Sequence, residues 1–263
     1  MHILLTNDDG IDSEGIRKLA LALRSKGKYK VTVMAPDKNH SGISHAISFL
    51  GGPLKISKRE EDTWSCSGYP ADCVIVALLG ALPERPDLVI SGINQGANLG
   101  TDISYSGTAA AARQASLMGV PAIALSLDAF RDCCWDMAAS WSADHLEELI
   151  AFWGSDTFVN VNIPNNQNGP GGIVKSWPTV KRYDEGPLRI VSARDGSGWC
   201  FFEGGEKMAD TEAGSDCDVV ARNFVSVSPV FIHPVVRRDL CPSAPDYAAV
   251  SGRDRAPIAP EKA

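Results

Sequence analysis

Short apolar runs alternate with helical periodicities along the first half of the chain. Ile3–Thr6 and Val31–Ala35 read as strands, the second β-branched at Val31, Thr32 and Val33. Leu88–Ile90 and Ala122–Leu125 follow proline-bearing loops and read the same way. Runs apolar on both faces suit parallel strands covered on both sides. Between them, Ile16, Leu19 and Leu23 fall at i, i+3 and i+7, with Arg17, Lys18 and Arg24 on other faces. Pro70 stands where a first helical turn tolerates proline, ahead of Ala71–Leu79, and Thr108–Met118 is alanine-rich. The alternation predicts an α/β fold with a doubly wound, mostly parallel, Rossmann-like sheet.

After Leu127 the pattern loosens. His145–Trp153 reads as helix, Phe158–Ile163 as a strand ended by Pro164, and Asn165–Gly172 as a polar loop. Val174–Trp177, Leu188–Val191, Trp199–Phe202 and Phe224–Val227 read as short strands in antiparallel hairpins. The acidic stretch Glu203–Asp218 reads as an exposed loop. The expected organisation is one domain over 1–240, with a core to about 170 and a hairpin-rich arm from about 171. Proline, alanine and charge dominate 241–263, which is expected to be a disordered tail.

Composition narrows the function classes. The chain carries 25 Lys and Arg against 32 Asp and Glu, a net charge of −7. That balance argues against binding to nucleic-acid polymers or to an anionic membrane surface. A chain so acidic needs a cation or backbone donors to handle phosphate. No apolar run is long enough to cross a bilayer, and the first residues lack the basic region of a secretory signal. Seven cysteines without a C-x-x-C pair fit reduced packing thiols, so the expected compartment is the cytoplasm.

In parallel sheets, ligands bind beyond the carboxyl ends of the strands. The first strand runs into Asn7-Asp8-Asp9-Gly10, the second into Pro36-Asp37 and then Ser41-Gly42, and the Leu88 strand into Ser91-Gly92-Ile93-Asn94. Adjacent carboxylates repel unless a proton or cation lies between them, although Asp9-Gly10 also reads as a turn and Asp8 as a cap. Asp8, Asp9, Ser41 and Asn94 together form an all-oxygen set suited to magnesium, manganese or calcium. Ser106-Gly107-Thr108 opens the alanine-rich helix, where free N–H groups suit an oxyanion and where a plain N-cap would also fit. Neither a dinucleotide fingerprint nor a P-loop occurs.

These blocks, with Gly96, Asn98, Gly100, Tyr105 and Gly119-Val120-Pro121-Ala122, resemble the SurE-type nucleotidases over residues 2–126. Weaker echoes persist at Asn160-Val161-Asn162-Ile163-Pro164 and at Val225–Pro229. The resemblance implies a metal-dependent phosphatase acting on nucleoside 5′- or 3′-monophosphates and sometimes on polyphosphate. It implies that Asp8, Asp9, Ser41 and Asn94 ligate Mg2+ or Mn2+, with Asp8, Asp9 and Asn94 catalytic. Asn94, Ser106, Gly107 and Thr108 would bind phosphate. It also implies a homodimer or homotetramer with an exchanged C-terminal arm, placed over Val174–Val227. The chain departs from the family at Gln114-Ala115, at Tyr69 and at Cys133-Cys134-Trp135.

The expected chemistry is in-line attack by a metal-activated water. Two rivals stay open: a phospho-aspartyl intermediate on Asp8, and a nucleotide- or metal-binding module without catalysis. No general acid is assigned. His40, beside Ser41, reads as a solvated loop histidine with a role as general acid left open, His45 has no stronger claim, and His2, His145 and His233 read as structural.

Overall fold

The chain runs β1 (His2–Thr6), α1 (Glu14–Ser25), β2 (Lys30–Pro36), β3 (Ile56–Glu60), β4 (Thr63–Cys66), α2 (Pro70–Val76) and β5 (Leu88–Gln95). It continues through α3 (Gly107–Leu117), β6 (Ala122–Asp128), α4 (Trp135–Asp144), α5 (Leu146–Ile150), β7 (Thr157–Pro164) and β8 (Ile173–Lys175). Then follow β9 (Lys181–Tyr183), β10 (Leu188–Ser192), β11 (Gly198–Phe202), β12 (Lys207–Ala209), α6 (Asp216–Ala221) and β13 (Val225–Phe231). This computed structural model describes residues 1–183, 188–202, 207–209 and 212–235. Met1–Ile232 forms one unit, and His233–Ala263 a second of which only 233–235 are described. The expected boundary at 240 and the tail 241–263 lie outside the described residues.

A nine-stranded sheet in the order β3-β4-β2-β1-β5-β6-β7-β13-β8 forms the centre. The strands from β4 to β7 in that order are parallel. From β1 the chain steps outward through β2 to β4, then returns to place β5 on the other flank of β1. This reversal opens a crevice at the carboxyl ends of β1 and β5, where doubly wound sheets place their ligands.

Strand alternation assigns side chains to two cores. Ile3 and Leu5 face a core that includes Ile16, Leu19 and Leu23 of α1 with Ala138 and Ala139 of α4. Leu4 and Met34 face the opposite core with Val74 of α2 and Ala109, Ala111 and Ala112 of α3. Ile16, Leu19 and Leu23 are buried, as their spacing predicts, each worth about 1.5–3 kcal/mol of transfer free energy. Alanine lets α3 lie close on the sheet, since eight of its residues are buried, Gly107, Thr108 and Ser116 among them.

The structure departs from expectation in four places. Val225–Phe231 is not a hairpin strand: it enters the main sheet antiparallel to β7 and parallel to β8. Alternation reports which side chains face inward and not which strand is the neighbour. Hairpin pairing does hold for β10 with β11. Within Glu203–Asp218, Asp216 is fully buried and begins α6 rather than standing in an exposed loop. The helix read over His145–Trp153 is a single turn and a half, Leu146–Ile150, preceded by α4. Finally, β3, in the first half of the chain, forms although its residues are exposed or half-exposed and three of the five are charged, because it pairs antiparallel with β4.

Candidate metal and phosphate site

The loop after β1 is shaped by Asn7. Its side-chain amide donates to the Gly10 carbonyl at 3.0 Å and to Ser13 Oγ at 2.6 Å, while its Oδ1 accepts from Gly10 N–H. That local ring turns the chain so that Asp8 and Asp9 leave the strand end side by side. The loop after β2 is tied to them, since His40 N–H donates to the Asp8 carbonyl at 2.7 Å. Ser41, the next residue, is solvent-exposed, and its hydroxyl donates to Asp9. On the far side, β5 shifts register against β6 between Ser91 and Asn94, an irregularity of the kind that re-aims side chains. Asn94 is buried there and its amide donates to the Gly96 carbonyl at 2.8 Å.

These elements enclose a cleft of about 490 Å³ lined by Asp8, Asp9, Ser41, Asn94 and Ser106, among others. Its size falls within the roughly 300–1,000 Å³ typical of small-molecule sites. The four residues expected to ligate a cation therefore share one cavity. Of the phosphate turn, only Ser106 lines it. Thr108 is fully buried and donates its hydroxyl to Asp8 Oδ1 at 2.5 Å. Gly107 is equally close: a Cβ there would lie 2.8 Å from Asp8 Cβ and 2.9 Å from its Oδ2. Both residues stand behind the acid rather than on the cleft wall. Ser106 itself caps α3, its Oγ accepting from Ala109 N–H at 3.0 Å.

Both acids hold protons more tightly than usual. Burial pushes the Asp8 carboxyl up, opposed by the Thr108 hydroxyl and by the N–H groups of Thr108 and Gly107. Asp9 is pushed up to about 6 by burial and by the charge on Asp8, against the Gln95 N–H and the Ser41 hydroxyl. No ion pair among the described residues involves either acid. Two crowded carboxylates without a cationic partner, ringed by neutral oxygens, fit a hard divalent cation. No set of three His, Cys, Asp or Glu is gathered among the described residues, so the neutral oxygens of Ser41 and Asn94 would complete the cage.

The chain matches the family described as survival protein SurE over residues 3–183. It is 39% identical to the 5′-nucleotidase SurE of Pelobacter propionicus over 238 residues, covering 88% of this chain and 94% of that one. The chain belongs to the SurE family. The 5′-nucleotidase SurE of Syntrophotalea carbinolica is 40% identical over 236 residues, with 88% and 92% covered. The crystal structure of the SurE protein from Aquifex aeolicus superposes with a TM-score of 0.78 at 33% identity, covering 91% of this chain and 97% of that one.

Several contributors to the SurE cleft have only a faint trace in sequence. Asn160 and Asn162 of β7 donate to the Asn98 carbonyl at 2.9 and 3.1 Å, and Asn98 N–H donates to Asn162 Oδ1. Two buried asparagines at period two in an otherwise apolar strand are the available signal. Asp216 accepts from Gly100 N–H and Thr179 N–H at 2.7 and 2.8 Å, holding the turn that leads into Ser106. Asp72 is buried and accepts from the Ser48 hydroxyl and N–H, tethering the loop after Ser41 to α2. The loop histidines are half-buried rather than fully solvated as expected. His40 stands edge-on to Tyr69 at 4.9 Å with its buried Nε2 unpartnered among the described residues. His45 lies 3.0 Å from Gln114 Oε1, and burial lowers the pKa of both rings. His2 and His145 are structural, bonded to Thr32 and stacked on Trp141.

Proposed function

We infer that this chain is a metal-dependent 5′-nucleotidase, a phosphoric monoester hydrolase that releases phosphate from nucleoside monophosphates. The observation that carries the reading is the convergence of Asp8, Asp9, Ser41 and Asn94 on one cleft at the β1/β5 crevice. The relatives' names support the substrate class.

Asp8, Asp9, Ser41 and Asn94 would hold the divalent ion, Mg2+ or Mn2+. When bound, such an ion neutralises phosphoryl oxygens and lowers the pKa of a coordinated water. The chain's own residues do the rest. Thr108 and the N–H groups at the start of α3 keep Asp8 fixed and favour its ionised form. The Gln95 N–H and the Ser41 hydroxyl do the same for Asp9. The Asn94 and Ser106 side chains line the cleft where phosphoryl oxygens would lie, so they are the groups placed to hold them. Asp8 is only 3% exposed and already bonded by Thr108, which favours a ligand role over that of an attacking nucleophile.

The expected assembly is a homodimer or homotetramer. The β10–β11 hairpin leaves Leu188, Ile190, Val191, Trp199 and Phe201 exposed, a surface that a second copy would cover. No helix among the described residues is long and apolar enough to cross a membrane. The cytoplasm is the proposed compartment, on the strength of free thiols at Cys66, Cys73, Cys133, Cys134, Cys200 and Cys217.

Phosphate release from AMP, measured with Mn2+ and again after EDTA, tests the reading. Release that is lost on chelation and absent in Asp8→Asn supports it. A protein that releases no phosphate from any monophosphate contradicts it and supports the binding-module alternative.

A further inference from the structure

The catalytic cleft carries two aromatic rings that the chemistry above does not use. Tyr105 and Phe130 both line it, and both are large apolar side chains left open to solvent, at 56% and 68% exposure. They come from unrelated elements. Tyr105 ends the short turn Gly100–Ser104 directly before Ser106, and Phe130 lies just beyond β6. Each is fixed by its backbone: the Tyr105 carbonyl accepts from Ser44 N–H at 2.9 Å, and the Phe130 carbonyl from the Gln95 amide at 2.8 Å. The Phe130 ring is also seated on Gly96, where a Cβ would come within 2.5 Å of it. Held at their backbones with their rings exposed, these residues lack the burial that would explain an aromatic in a core.

Resting on the 5′-nucleotidase reading, the geometry points to Tyr105 and Phe130 as the platform that receives the nucleobase. They would select nucleotides over sugar phosphates that carry no base. Aromatic faces stack on any base, whereas hydrogen-bonding side chains read particular base edges. The amide nitrogens of Asn94, Gln95 and Asn98 in this cleft already donate to Gly96, Phe130 and Ser126. With those three amides engaged, the two rings supply recognition by area, tolerant of base identity and intolerant of its absence. Tyr105 and Phe130 are specificity residues here and take no part in the bond-breaking step.

The test compares kcat/KM for AMP and for ribose 5-phosphate in the full chain with Mn2+, for wild type, Tyr105→Ala, Phe130→Ala and Phe130→Trp. The wild type prefers AMP. Each alanine variant loses that preference by on the order of tenfold, carried by KM for AMP, and Phe130→Trp retains it. A ratio unchanged in both alanine variants overturns the platform. A wild type that hydrolyses both esters equally also overturns it while leaving the phosphatase reading intact. A wild type that hydrolyses neither contradicts the nucleotidase reading itself, and the platform with it.

Discussion

Thr108 donates its hydroxyl to Asp8 across 100 positions of sequence, in a bond of 2.5 Å between two buried side chains. The acid at the end of β1 is thereby held by the first turn of α3. Thr108→Val keeps the shape and removes the donor. Phosphate release should fall about 10–100-fold, as for other groups that orient a ligand. Because this hydroxyl opposes the upward shift of Asp8, the acid limb of the pH–rate profile should move to higher pH, and Thr108→Ser should restore it. A profile that stays in place contradicts this role. Gly107→Ala should be at least as harmful, since the added methyl would lie inside contact distance of Asp8.

The paired acids also predict how stability follows pH in metal-stripped protein. Asp9 titrates near 3.8 ordinarily and at about 6 in the fold. The folded chain thus binds this proton more tightly than the unfolded chain. That stabilisation is full below about 3.8 and is lost as pH rises through about 6; Asp8 is shifted the same way. Ligand carboxylates must be deprotonated to bind metal, so Mn2+ should raise Tm more at about pH 7 than at about pH 5. Calorimetry showing the larger rise at the lower pH contradicts the sign.

Asp216 gives a prediction about architecture rather than chemistry. It is fully buried and accepts from Gly100, Thr179 and Cys217 N–H groups. Asp216→Ala leaves those donors without an acceptor, at a cost of about 3 kcal/mol. In a domain this size that lowers Tm by roughly 6–12 °C. Asp218→Ala, whose half-buried carboxylate pairs with the exposed Arg222 and accepts from one backbone donor, the Gly214 N–H, should change Tm less. Equal losses would contradict the account.

The parts legible in sequence share a cause. β1, β5 and α1 bury apolar residues at fixed periods, and parallel strands deliver whatever follows them to one edge. That is why Asp8, Asp9, Ser41 and Asn94 fall into one group on the amino-acid sequence alone. The parts that are not legible depend on partners remote in sequence. Beyond Trp135 at its start, helix α4 buries Ala138, Ala139, Ser142 and Ala143, small side chains that leave little amphipathic contrast. Strand β13 reads as a hairpin strand because its partners, β7 and β8, are set by the fold and not by its alternation. Gly107 and Thr108 read as a phosphate turn because helix N-termini attract anions in general; their closeness to the Asp8 carboxylate in the fold has no signal in sequence.

The central claim is that a divalent cation sits between the acids after β1 and the amide at the end of β5. Anomalous diffraction from crystals soaked in Mn2+ reads it directly. The account predicts a single strong peak within coordination distance of the Asp8, Asp9, Ser41 and Asn94 oxygens, lost in Asp8→Asn crystals. An empty cleft at saturating Mn2+, or a peak that persists unchanged in Asp8→Asn, would contradict it.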